Sequence, residues 1–196
     1  VFRHVLLGIA ALVFIAPPAT AQTWNIDPAH SAATFTVRHM MVSNVKGSFG
    51  RMEGTVEFDG TNLTGIKANA KIDTTTITTN NEKRDAHLKS ADFFDVNAHP
   101  TITFVSKRAE PAGNGRFRLI GDLTMRGVTK EVVLDVEGPT EPFTAQGAQR
   151  VGATATTTLN RQDYGVSWSR ALDGGGVVVS DEVRVTIDLA LVRKLS

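Results

Sequence analysis

The sequence predicts an all-β chain of about eight antiparallel strands, a barrel or a sandwich. Three observations carry this. Several stretches alternate apolar and polar residues, most clearly Ile66, Ala68, Ala70 and Ile72 against Lys67, Asn69, Lys71 and Asp73. Residues suited to tight turns separate them, at Asp59-Gly60, Gly113-Asn114-Gly115 and Arg126-Gly127. No strand–helix–strand rhythm of the kind that builds a parallel sheet is visible. Clean alternation along long strands fits a barrel with one apolar interior.

In chain order, the first 21 residues read as a leader. Arg3 and His4 precede an apolar run over residues 5–16, Pro17-Pro18 end it, and Ala19-Thr20-Ala21 gives the small-x-small pattern of a cleavage site. The run of 12 residues is short for a transmembrane helix. Cleavage after Ala21 leaves residues 22–196 as the folded domain and points to an exported, periplasmic protein. Ala33, Phe35 and Val37 then share one face of a strand. A long strand is expected over residues 45–58, with Met52, Val56 and Phe58 in phase, followed by the alternating stretch at 66–72. Asn81 is placed to cap a short helix over residues 81–90, which is expected to cover one barrel end. The adjacent Phe93 and Phe94 must bury at least one ring, most simply beneath that helix. Further strands follow around Ile102 and Phe104, around Phe117, Leu119 and Leu123, at Val132, Leu134 and Val136, in the Thr-rich stretch 154–159, and from Val183 to Leu191.

Composition narrows the chemistry. Lys and Arg total 21 against 20 Asp and Glu, which gives no electrostatic case for nucleic acid or a polybasic membrane arm. Cysteine is absent, which excludes disulfides, thiolate metal sites and thiol catalysis. His30, His39, His87 and His99 show no metal-binding spacing, although Asp85, His87, Asp92 and Asp95 are near enough in sequence to meet. Asp27, His30 and Ser31 have the residue types of a hydrolase triad, but neighbouring strand side chains diverge, and a turn at the start of a strand explains them better. His39 has the parity of Phe35 and Val37. Either the strand has ended there, or His39 bonds a backbone carbonyl, or it meets a ligand's polar head at the barrel mouth. Arg84-Asp85 and Arg161/Asp163 read as ion pairs that lock the helix and a late loop to the barrel ends, and an Arg at a barrel mouth can also hold an anionic head group. The residues 173–176 lack the Lys-Ser/Thr of a phosphate loop and read as a plain loop.

The ordered set of short motifs is more specific than any one of them. It comprises Trp24-x-Ile26-Asp27-x-x-His30-Ser31, Phe35-x-Val37-x-His39, Val45-x-Gly47-x-Phe49, Arg84-Asp85-x-His87-Leu88, Asp92-Phe93-Phe94-Asp95, Pro100-x-Ile102-x-Phe104-x-Ser106, Gly121-x-Leu123-x-x-x-Gly127 and Arg161-x-Asp163-Tyr164-Gly165. Together they resemble the YceI-like family of exported bacterial proteins. The resemblance implies an extended eight-stranded antiparallel barrel, lipocalin-like, with a short covering helix. It implies a long apolar lipid inside: a polyisoprenoid, an isoprenoid quinone, or a fatty acid or amide. On that resemblance the expected lipid-binding residues are Phe35, Val37, His39, Phe49, Met52, Phe94, Ile102, Phe104, Leu119, Leu123 and Trp168. No catalytic residue, cofactor or metal is expected. Small residues at the inferred inward positions Ala68, Ala70, Ala155 and Gly121 leave room for a tunnel beside Phe35, Phe104 and Leu119. Two other readings stay open. One is an interaction module with a packed barrel that touches membrane proteins transiently. The other is an enzyme on a lipid or quinone with His39, His87 and Asp85 as its acid–base set. A homodimer is an open alternative to a monomer.

Overall fold

The computed structural model describes residues 21–60, 62–173 and 175–195; the leader reading, apart from Ala21, and Gly174 of the glycine run lie outside them. Twelve strand segments form one sheet. They are β1 (Gln22–Ile26), β2 (Ala32–His39), β3 (Ser43–Phe49), β4 (Met52–Phe58), β5 (Lys67–Asp73), β6 (Ile77–Thr78), β7 (Thr101–Gly113), β8 (Arg116–Met125), β9 (Val128–Glu137), β10 (Phe143–Ala145), β11 (Ala148–Asn160) and β12 (Val179–Lys194). One helix, α1, spans Glu82–Lys89. No helix among the described residues is long and apolar enough to cross a membrane.

The pairing reduces these segments to eight staves. β1 and β2 both pair with β12, Asn25 opposite Val192 and Val37 opposite Val183, so they are one interrupted stave. β3 pairs with β2 while β4 pairs with β1, and β6 pairs with β3 while β5 pairs with β4. Three interrupted staves plus β7, β8, β9, β11 and β12 make the eight of a closed antiparallel meander. β11 pairs with β12 along its whole length, which closes the ring. The seam between β9 and β11 is short, three paired positions from Thr154–Glu137 to Thr156–Asp135. Below it β10 takes over, with Phe143 opposite Arg150.

The continuous strand expected over residues 45–58 is broken at Gly50-Arg51, and parity explains why. Phe49 and Met52 are both buried, yet three positions apart on one strand they would face opposite sides. The bend at residues 50–51 restores both to the interior. The neighbouring staves make the same switch at the same level. Trp24 and Ile26 point inward before residues 27–31, and Ala33, Phe35 and Val37 after them. Ala68, Ala70 and Ile72 point inward before a 3₁₀ turn at Thr74–Thr76, and Ile77 after it. Cross-links hold this line: the Gly50 amide donates to Thr76 Oγ1 at 3.1 Å and the Asp73 amide to Arg51 O at 3.0 Å.

One end of the ring carries α1, the loop to β7 and residues 161–178; the other carries the β7–β8 turn, the β10 hairpin and the ends of β1 and β12. The helix starts where the sequence places its cap, with Asn81 Oδ1 accepting from the Arg84 amide at 2.9 Å. Close backbone approach fixes one interior position. Gly54 in β4 has φ +146, and an added Cβ would overlap Asn69 O and lie 2.9 Å from Ala70 Cα on β5. Gly54→Ala is therefore expected to destabilise the barrel by about 3 kcal/mol or more, read as a lowered urea midpoint. An unshifted midpoint would show that β4 and β5 are not held at this distance.

Candidate functional site: an apolar lumen

The ring encloses a cavity with about 230 Å³ of space open to the centre of a water-sized sphere. A single water needs only about 10–15 Å³ on that measure, so the interior is hollow and differs from the packed-barrel reading. The wall residues come from alternate positions on every stave. β12 alone contributes Val183, Val185, Ile187, Leu189 and Leu191, and β11 contributes Val151, Ala153, Ala155, Thr157 and Leu159. Leu88 of α1, Phe93 and Phe94 close the helical end. Apart from four threonines and Arg161 the lining is apolar.

Of the ligand-contacting residues expected from the sequence, Phe35, Val37, Phe49, Met52, Phe94, Ile102, Phe104, Leu119 and Leu123 lie on the cavity wall. His39 and Trp168 do not. His39 is the last residue of β2, half-buried at the rim. Trp168 lies outside the lid, where its ring packs on His87 at 5.2 Å and Phe93 at 5.4 Å. Ala68, Ala70 and Ala155 line the lumen as expected positions for small residues, but Gly121 does not. The Phe104 ring covers it, so that a Cβ on Gly121 would come within 2.6 Å of Phe104 Cζ. The Phe35 ring lies in the same way over Gly47, its cross-strand partner. Both rings are thus folded against the wall, which keeps the middle of the barrel open.

The lid is fixed by hydrogen bonds rather than by an ion pair between Arg84 and Asp85. Asp85 accepts from the Thr79 amide at 2.8 Å, from Thr79 Oγ1 and from Thr78 Oγ1. Arg84 donates to Thr79 Oγ1 and Thr79 O. Desolvation pushes the Asp85 carboxyl up, but the Thr79 and Thr78 hydrogen bonds outweigh it and hold it below its ordinary value. From the opposite side Arg126 donates to Ala91 O and Phe93 O and ties down the Phe93-Phe94 loop.

Arg161 is 5% exposed and borders the lumen at the lid end. Its partner is Asp181 at 3.1 Å rather than Asp163, which pairs with Lys130. All five of its N–H groups are used: Nε on Ser180 O, Nη1 on Val166 O and Trp168 O, Nη2 on Val179 O and Asp181 Oδ1. Burial lowers its pKa, and Asp181 opposes that. With no donor to spare, Arg161 is a tie for residues 166–181 and not an anion receptor.

The candidate acid–base groups do not converge. His87 Nε2 pairs with Asp92 at 2.8 Å, while Asp85 turns to Thr78 and Thr79. His30 pairs with Asp27, and the buried Ser31 exchanges hydrogen bonds with Ala190, which is the turn geometry expected at that point. Among the described residues no three His, Asp or Glu side chains gather as metal ligands. At the end of the barrel opposite the lid, beside the lumen-lining Trp24, stand two residues that no sequence motif singled out, Gln149 and Arg193. The signal was there, since Arg193 continues the inward parity of Leu189 and Leu191.

Residues 24–191 match the YceI-like domain. A UPF0312 protein of Staphylococcus aureus (strain MSSA476) is 40% identical over 162 residues, 82% of this chain and 92% of that protein. The crystal structure of the Campylobacter jejuni YCEI protein superposes with a TM-score of 0.67 at 28% identity, over 80% of this chain and 90% of that one. A polyisoprenoid binding domain from Saccharophagus degradans, implicated in plant cell wall breakdown, has a TM-score of 0.62 at 16% identity, covering 88% of this chain and 98% of that one.

Two outcomes are expected. Arg161→Lys should cost about 3 kcal/mol in denaturant unfolding, because an ammonium cannot serve five acceptors and leaves buried carbonyls bare. A variant as stable as the parent would mean that the tie is redundant. Asp85 has a folded pKa below its unfolded one, so its anchoring is complete above the unfolded value, about 3.9, and fades as pH falls through the folded value. Pepsin cleavage within residues 79–95 should quicken below about pH 4. Asp85→Asn should already be cut by thermolysin at neutral pH, and an uncut variant would refute the anchor.

Proposed function

Because the chain belongs to the YceI-like family, we propose that its barrel binds a long apolar lipid: a polyisoprenoid, an isoprenoid quinone or a fatty acyl chain. The observation that carries the reading is the hollow lumen, lined almost wholly by apolar side chains and capped by Leu88, Phe93 and Phe94. Each ligand methylene moved from water into such a wall is worth roughly 0.8 kcal/mol, so chain length alone gives useful affinity. The name of the S. degradans domain supports the same ligand class. The protein acts as a binder or carrier, with no catalytic step assigned to its residues. The leader reading of residues 1–21 assigns it to the periplasm as a mature chain beginning at Gln22.

The test is a native mass spectrum of protein purified from its own host, followed by organic extraction. A bound mass of several hundred daltons with an isoprenoid or acyl signature is expected. A bare protein mass that persists after incubation with polyprenyl lipids, quinones and fatty acids would overturn the reading. Ala70→Phe, which fills the lumen beside Phe104, should lower lipid occupancy about tenfold while the circular dichroism spectrum stays that of a β-barrel.

A further inference from the structure

Among the described residues, the floor end of the barrel, opposite the lid, holds the buried side-chain donors that are left without partners. Arg193 lies two positions beyond Leu191 on the inward face of β12, and Gln149 lies directly opposite it on β11. Trp24, 3% exposed, lines the lumen from β1. The Arg193 guanidinium carbon sits 5.4 Å from the centre of the Trp24 ring, a cation–π contact that fixes the guanidinium in this corner. Arg193 Nη2 donates to Gln149 Oε1. Arg193 Nε and Trp24 Nε1 are both buried and have no acceptor. A buried donor without an acceptor costs about 1–3 kcal/mol, and two such donors in one corner call for an explanation. Arg193 as a whole is half-buried, and among the described residues its guanidinium is in no ion pair, so a carboxylate can still pair with it.

We infer that Trp24 Nε1–H and Arg193 Nε–H form a head-group subsite that takes the carboxylate of a long-chain acid, with the tail running up the lumen toward α1. This rests on the lumen being a lipid site and goes further by naming the head group and its orientation. Both orphan groups donate, so the head must accept. A carboxylate offers an oxygen to each and cancels the charge of Arg193. An alcohol brings a single oxygen and no charge, and an ester brings no charge. At the lid end the one charged side chain on the described lumen wall, Arg161, has all five N–H groups committed and so cannot take the head group. The orientation is thereby fixed: head on the floor, tail beneath Phe93 and Phe94.

The experiment compares palmitate, hexadecanol and methyl palmitate by displacement of a fluorescent apolar probe from the delipidated protein. Palmitate is expected to bind about tenfold or more tightly than the other two. In Arg193→Met and in Trp24→Phe that ratio should fall toward one, and Arg193→Lys should restore part of it for the acid. The comparison in the unmutated protein stands even where a variant fails to fold. Equal binding of acid and alcohol would overturn the subsite and leave the lumen reading intact, as would a variant that weakens all three ligands in parallel. A preference for a quinone over palmitate would also overturn it, since the site would then take a neutral carbonyl. Failure of every chain, polyprenyl lipids included, would overturn the lumen reading and this inference with it.

Discussion

Closure of the ring through β12 is the constraint on which the rest of the molecule depends. This strand pairs with β11 on one flank and with β1 and β2 on the other, so no exposed edge is left there. Once the ring is closed, alternate residues of every stave have nowhere to point but inward. Eight staves make a bore that side chains can just fill or can leave open. Here alanines on β5 and β11 and two phenylalanines folded over glycines leave it open. The lumen follows from the number of staves and the sizes of the inward residues.

Keeping that bore apolar across the bend is the second task. Three adjacent staves each shift their inward parity by one residue at the same level, and the polar groups freed there bond to one another. The two ends are built differently. At the lid end the anchoring side chains are spent on the protein itself: Asp85 and Arg84 on Thr78 and Thr79, Arg126 on the Phe93 loop, Arg161 on the backbone of residues 166–180 and on Asp181. At the floor, donors remain. A barrel with one saturated end and one unsaturated end has a direction, and an amphiphile can read it.

Much of this was legible in the sequence because strand period and cap chemistry are local. Residues 66–72 announce their inward face by alternation, and Asn81 announces the start of α1. The bend at Gly50-Arg51 was hidden because glycine is tolerated in strands and the parity change shows only once Phe49 and Met52 are both known to be buried. The partner of Arg161 was hidden because Asp181 is 20 positions away, across a loop whose path no local rule sets, while Asp163 was the obvious neighbour. Trp24 and Arg193 are far apart in sequence and become neighbours only through ring closure.

The β9–β11 seam has three paired positions, where β11 and β12 share 13 from Ala148–Lys194 to Asn160–Glu182. In mechanical terms the barrel is a hoop with one weak joint. Opening the ring at that joint would break the fewest strand pairings of any seam. The wall of the hoop is therefore weakest along one line, every other seam being held by more rungs.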